Sequence, residues 1–259
     1  MKFSYRYVKQ IQKEIKRLYD KDGKSFDLRN YQILKDTIYA FSKSKSSLAK
    51  LCAAIWLPQD KSNTLLAEET LNLLLGEKKV EVRSRVVLGL LRIAKTKNTY
   101  NSLKSLIYKE KNHQIRAMAC QCLCKLTCNY FHEFINETIE FVQVYAEKER
   151  KAMCLATILV GLWAIGDKNV NEDIGYIFDE FLSGDEQEIE LRAISVVDIL
   201  QIDLFLGYKE RYNKVVKFIK GAKVPLLKYN RDVFIKILRL ETTFNEDMDW
   251  NISNHHLLK

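Results

Sequence analysis

Apolar residues recur every three or four positions along most of the chain, and short polar stretches interrupt this pattern at regular intervals. This spacing is typical of amphipathic α-helices, whereas half-buried strands alternate every two residues. The pattern therefore predicts an all-α chain of about six helical hairpins, each with a first helix, a short turn and a second helix. The first helices are expected at about residues 30–43, 63–75, 99–110, 131–146, 171–183 and 208–222, and the second helices at about 46–57, 80–95, 113–127, 148–166, 187–203 and 226–240.

The two clearest second helices repeat each other at a fixed 33-residue offset, which carries Val82-Arg83 onto Ile115-Arg116. Each Arg is followed, at the same spacings in both helices, by a small or β-branched residue, a second small residue, a Leu and an apolar residue. These pairs are Val86 and Ala119, Gly89 and Cys122, Leu90 and Leu123, and Ile93 and Leu126. Periods of this length indicate stacked helical hairpins.

This pattern resembles the HEAT repeat, in the wider HEAT/armadillo class, whose second helix typically opens with an apolar residue and Arg and continues with small residues and Leu. Lys50 lies one such period before Arg83, Leu191-Arg192 opens a later unit, and Ile165-Gly166-Asp167 resembles the closing Leu-Gly-Asp of the family. The resemblance covers about residues 31–240. It implies a right-handed α-solenoid of about six antiparallel hairpins, a HEAT-like superhelix.

Three segments follow from this interpretation: an amphipathic basic helix within 1–29, a repeat array over 30–240 and a tail over 241–259. The N-terminal helix has an apolar stripe surrounded by bases, formed by Phe3, Tyr7, Ile11, Ile15 and Leu18. We expect this stripe to cap the first hairpin, because terminal repeats must cover an otherwise open core. A helix lying on a membrane surface is the alternative.

Composition supports a helical chain without a membrane partner. Two prolines and nine glycines are too few for the turns of an all-β protein. The longest uncharged run, 152–166, is shorter than the roughly 20 residues of a membrane span. Cys120, Cys122 and Cys124 fall where the family has small packing residues, so we interpret them as buried thiols rather than a metal or redox site. Reduced thiols favour a cytoplasmic location.

Charge is unevenly distributed in a chain whose net charge is +9. Residues 167–190 hold nine acids against Lys168, and residues 209–239 hold ten bases against Glu210 and Asp232. A basic balance is compatible with an acidic protein partner or nucleic acid, and is also common in ordinary lysine-rich proteins.

The sequence contains no Walker loop, dinucleotide fingerprint, His-Glu-x-x-His or Gly-x-Ser-x-Gly motif, so no catalytic residue, metal or cofactor is expected. A non-enzymatic scaffold that binds a protein partner is the first interpretation. The alternative is a nucleic-acid-binding HEAT protein. For this alternative, the resemblance extends to the HEAT-like alkylpurine DNA glycosylases. By residue type alone, Trp56, Trp163 and Asp198 of this chain match the residues that surround the lesion in those enzymes.

In HEAT arrays the second helices line the concave face, and residues three, four and seven apart share one side of a helix. We therefore predict a polar binding stripe at Arg85, Arg92, Gln121 and Lys125, with Lys236 at the matching place in the last hairpin. An anionic surface on a protein partner would bind there. The repeat-defining Arg83, Arg116 and Arg192 are assigned instead to structural contacts between adjacent hairpins.

Overall fold

The computed structural model describes residues 3–167, and within them it is all-helical, with no strand. Nine α-helices are present in this part of the chain. They are α1 (Tyr5–Asp22), α2 (Gln32–Ser42), α3 (Ser47–Trp56), α4 (Thr64–Leu74), α5 (Val80–Ile93), α6 (Lys97–Lys109), α7 (His113–Tyr130), α8 (Ile135–Ala146) and α9 (Ala152–Ile165). The last two predicted hairpins and the tail lie outside the described residues, as do Arg192, Asp198, Lys236 and the side chain of Trp163.

Most helices begin where a short polar side chain can cap the first turn. Ser46 Oγ accepts the backbone N–H of Ala49 at the start of α3, and Asn63 Oδ1 accepts that of Leu66 at the start of α4. Thr96 caps α6 in the same way. Such caps satisfy N–H groups that have no partner inside the helix. The local sequence therefore sets where these helices begin.

The predicted helix bounds agree with the observed ones to within a few residues, with two larger differences. Helix α8 begins at Ile135 rather than near residue 131, because the chain first forms a 3-10 turn at His132–Phe134. Helix α9 begins at Ala152 rather than near residue 148. There the buried Glu149 accepts the backbone N–H groups of Arg150 and Lys151, and the chain turns before the helix starts.

The described chain divides into two compact units, and the division falls inside α7, between Cys122 and Leu123. In the first unit, α3 packs against α2 and α5, while α4 packs against α2, α5 and α6. Helix α5 comes so close to the segment after α3 that a Cβ on Gly89 would lie 2.9 Å from Cγ of Pro58. In the second unit, α8 packs against α9, and the hydroxyl of Thr127 in α7 lies 3.2 Å from that of Thr138 in α8.

Helix α1 packs against α3 through an apolar face. Val8, Ile15 and Leu18 are buried, and the ring of Phe3 lies 4.8 Å from that of Phe41 in an edge-to-face arrangement. Tyr7, expected on the apolar stripe, is instead 39% exposed. No helix among the described residues is both long and apolar enough to cross a membrane.

Buried carboxylates join consecutive hairpins of the first unit. Glu68 of α4 is 1% exposed and accepts the backbone N–H groups of Lys95 and Thr96 at 3.0 and 2.9 Å. Asp27, which precedes α2, accepts the backbone N–H of Lys61, which precedes α4. Each carboxylate thus satisfies backbone donors of the following hairpin.

Candidate functional site

Arg83 and Glu110 form a two-pronged ion pair between two hairpins of the first unit. Arg83 Nε lies 2.7 Å from Oε2 of Glu110, and Nη2 lies 3.0 Å from Oε1. The third guanidinium nitrogen, Nη1, donates to the carbonyls of Glu77 and Lys78. The Glu110 side chain is only 4% exposed. A paired, charge-assisted contact of this kind fixes geometry as well as adding energy.

Equivalent contacts recur one repeat away. Lys50 and Glu77, which precede Arg83 and Glu110 by one repeat period each, also form an ion pair. Arg116 donates to the carbonyl of Glu110 at 3.0 Å, as Arg83 donates to that of Glu77 at 2.8 Å. Arg83 therefore has the inter-hairpin structural role predicted for it, and Arg116 contacts the turn of its own hairpin.

Two opposing effects act on the carboxyl of Glu110. Burial disfavours its charge, but hydrogen bonds from Arg83 and from the backbone N–H of Asn112 outweigh burial and lower its pKa. The same contact raises the pKa of Arg83. Glu110 therefore stays ionised to lower pH than an ordinary glutamate, and Arg83 stays ionised to higher pH than an ordinary arginine.

A cleft of about 760 Å³ opens beside this ion pair, between α6 and the end of α4 with the turn that follows it. All of its lining residues belong to the first unit. They are Asn72, Leu75, Gly76, Glu77, Lys78, Arg83, Asn101, Ser102, Ser105, Leu106, Lys109, Glu110 and Lys111. Its size falls within the range of about 300–1,000 Å³ that is common for ligand sites.

The cleft has the chemistry of a binding site rather than a catalytic one. Neither histidine nor cysteine lines it, and its two carboxylates, Glu77 and Glu110, are engaged by Lys50 and Arg83. The exposed lysines Lys78, Lys109 and Lys111 give the lining four cations against two anions. An anionic group is thus favoured there.

The predicted binding stripe is split by the structure. Arg85 and Arg92 of α5 are exposed, but Gln121 and Lys125 of α7 are only 7% and 6% exposed. Every residue of α7 from 117 to 128 is buried. The expectation that Gln121 and Lys125 lie on an open surface is therefore wrong, because α7 has no solvent-facing side over this length.

The sequence indicates this difference in exposure between α5 and α7. The predicted stripe of α7 consists of Gln114, Ala117, Met118, Gln121, Lys125 and Cys128, so half of it is apolar or small. The corresponding stripe of α5 is mostly polar.

Trp56, one of the two tryptophans matched to lesion contacts, has a packing role. Trp56 lies 5.6 Å from the ring of Tyr19 and 6.0 Å from that of Phe26, in a cluster between α1 and the end of α3. Trp56 does not line the cleft.

The six cysteines are all buried, and burial raises the pKa of Cys52 to about 12. No group of three or more His, Cys, Asp or Glu residues in the described part of the chain is arranged to hold a metal ion.

Sequence reasoning did not find the cleft. Its neutral polar residues, including Asn72, Ser102 and Ser105, lie on first helices, where no binding stripe was sought. The polar spacing of Ser102, Ser105 and Lys109 on one side of α6 was the available signal. Comparisons of the chain with family models, with curated proteins and with solved structures find no match in any of the three.

Proposed function

We propose that this chain is a non-enzymatic, HEAT-like helical-repeat scaffold that binds an acidic surface of a protein partner. The observation that carries the proposal is the contact repeated at the sequence period, from Lys50 and Glu77 to Arg83 and Glu110. A contact that recurs with the sequence period supports stacking of one hairpin on the next, and extended stacks of hairpins commonly serve as binding surfaces. In the proposed right-handed solenoid, α3, α5 and later second helices would form the concave face.

The proposed binding surface is now limited to α5 within the described residues. Arg85 and Arg92 are exposed there, with Lys95 one turn farther along the chain. Exposed guanidinium groups suit carboxylates because they can donate two parallel hydrogen bonds. Lys236 remains a candidate from the sequence alone.

A reducing, cytoplasmic setting belongs to the same proposal. Six buried thiols are suited to a compartment in which disulfides do not form.

The test is quantitative capture of partners from a lysate of the native host, with the Arg85→Glu/Arg92→Glu variant beside the unaltered chain. We expect the captured protein to fall severalfold or more, because two cations are replaced by anions on the contact surface. The Lys13→Glu/Lys16→Glu variant of α1 is a matched control, since it changes net charge equally at exposed positions away from α5. Equal loss in both variants would contradict the proposed surface.

The alternative function is nucleic-acid binding, which the net charge of +9 and the ten bases within residues 209–239 favour. Nuclease treatment of the lysate separates the two functions. If nuclease removes the captured material, and binding falls steeply between low and physiological salt, phosphate contacts carry the interaction and the protein-scaffold proposal is wrong.

A further inference from the structure

We infer that the cleft between α4 and α6 is a second binding site, and that it takes an extended acidic peptide segment. This site lies on the first helices and does not depend on the proposed surface of α5. Four features of the cleft lead to this ligand class: its charge, a buried acceptor, its apolar lining and the absence of aromatic rings from that lining.

The charge of the cleft selects an anion. Lys78, Lys109 and Lys111 are exposed, and no described residue places a carboxylate within ion-pair distance of their ammonium groups. The two acids in the lining already have cationic partners. The lysines are thus available to a ligand, and a ligand with carboxylates would meet three cations within one cleft.

A buried acceptor at Asn72 favours a ligand that also brings a donor. The hydroxyl of Thr99 donates to Glu68, so it must accept the Asn72 Nδ2–H at 2.6 Å, and this fixes the orientation of the amide. Oδ1 of Asn72 is then a buried acceptor with no hydrogen-bond partner among the described residues. This oxygen is covered in the structure, so a ligand N–H would satisfy it only if the side chains over it shift when the ligand binds.

A peptide supplies both groups, carrying backbone N–H donors and acidic side chains in one chain. A fully ionised anion such as sulfate supplies only acceptors at neutral pH and would leave Oδ1 of Asn72 unsatisfied. The apolar side chains of Leu75 and Leu106 line the same cleft and suit the aliphatic parts of a peptide.

Nucleic acid fits the cleft less well. Single strands are usually held by stacking of bases on aromatic side chains, and no aromatic ring is among the residues that line the cleft. Because the cleft has lysines but no ring on which a base could stack, it favours an acidic peptide over nucleic acid.

The first test measures fluorescence anisotropy of a fluorescein-labelled peptide of alternating Glu and Ala, about eight residues long so that it can span the cleft when extended. We expect Lys109→Glu/Lys111→Glu to weaken binding about tenfold or more, since it replaces two cations that line the cleft with anions. Lys13→Glu/Lys16→Glu, with the same change in net charge, should alter binding less than about twofold. Equal weakening by both pairs, or no binding by the unaltered chain, would overturn the inference.

A steric variant tests the cleft without changing its charge. A Cβ at Gly76 would meet nothing within 4 Å, and the backbone there is not in the left-handed region. Gly76→Trp should therefore keep the thermal transition of the unaltered chain, yet obstruct the cleft and weaken peptide binding about tenfold. Gly76→Ala is the matched control and should bind normally. A folded Gly76→Trp variant that binds like the unaltered chain would exclude the cleft.

The role of Asn72 has its own measurement. A peptide methylated at its backbone nitrogens cannot donate there, so it should bind the unaltered chain more weakly than the ordinary peptide. The Asn72→Ala variant should show no further weakening on methylation. Equal weakening in both proteins would overturn the assignment of Asn72 as the acceptor.

Two further experiments distinguish a peptide-binding cleft from a nucleic-acid site and from the α5 surface. A labelled oligothymidine that binds the cleft more tightly than the peptide, and is lost in Gly76→Trp, would replace the peptide by nucleic acid. Arg85→Glu/Arg92→Glu should leave peptide binding unchanged. If that variant removes peptide binding while Lys109→Glu/Lys111→Glu does not, the cleft is wrong and the α5 surface stands.

Discussion

Helices α5 and α7 open with the same sequence pattern, one repeat period apart, and differ in what they expose. On α5, Arg85 and Arg92 face solvent, whereas Met118 and Lys125 at the equivalent places of α7 are buried. Their core positions remain alike, because Leu90 and Leu123 are both 0% exposed. Sequence periodicity therefore determines which residues form the shared core, while exposure of the remaining faces depends on what packs against each helix.

The largest effect that this comparison predicts is a difference in stability between variants of Lys125 and Arg92. Lys125→Glu places a carboxylate where only 6% of the residue is exposed, so unfolding should require about 4 kcal/mol less. Arg92→Glu, at the equivalent but exposed place, should change stability by about 0.5 kcal/mol or less. Urea denaturation measures both. Similar stabilities for the two variants would show that α7 has an open face.

Truncation of the common core should affect both helices alike. Leu90→Ala and Leu123→Ala should each lower the free energy of unfolding by about 2 to 5 kcal/mol, because each removes a fully buried side chain. Leu73→Ala is the control, since Leu73 is 83% exposed. A stability close to that of the unaltered chain for either core variant would contradict the shared register.

The contact between Arg83, which opens α5, and Glu110, which precedes α7, should make stability depend on pH. Because the pKa of Glu110 is lowered by folding, its contribution is present above the ordinary carboxyl range and is lost as the pH falls through the lowered pKa. Glu110→Gln should cost about 2 kcal/mol at neutral pH, and the difference from the unaltered chain should shrink in acid.

The measurement is urea denaturation of both proteins at neutral and acidic pH. Glu69→Gln is a suitable control, because Glu69 is an exposed residue of α4. A difference that stays constant with pH would show that the charge of Glu110 is unimportant.

A smaller effect than at Glu110 is expected one repeat earlier, at Lys50. Its ion pair with Glu77 leaves about a fifth of each side chain exposed, at 19% and 24%, and Lys presents a single ammonium group instead of a guanidinium. Lys50→Met should therefore cost about 1 kcal/mol or less in thermal or urea denaturation. A cost equal to that of Glu110→Gln would make the two contacts equivalent despite their different burial.

Much of the described fold could be predicted because its signals are local. Caps such as Ser46 and Asn63 and the apolar spacing set the helices, and the repeated pattern around Arg83 indicated its contact between hairpins. The burial of Lys125 could not be predicted in this way, since it is set by neighbours outside its own helix.

The cleft as a whole could not be predicted either, although the sequence gives α6 a polar side. Asn72 and Ser102 belong to different hairpins and line one site only because α4 packs against α6. No single segment contains both sides of the site. Only the tertiary arrangement of α4 and α6 reveals the charge and the acceptor that they share.

The buried carboxylates between hairpins make the hairpins of the first unit depend on one another during unfolding. Glu68 satisfies backbone groups that belong to the next hairpin, and Asp27 does the same one hairpin earlier. If one hairpin opened alone, the carboxylate and the backbone donors at the junction would exchange these charge-assisted hydrogen bonds for weaker ones to water. These hairpins should therefore unfold as one cooperative block, and a fragment cut between α5 and α6 should lose more stability than the lost apolar contacts alone would predict.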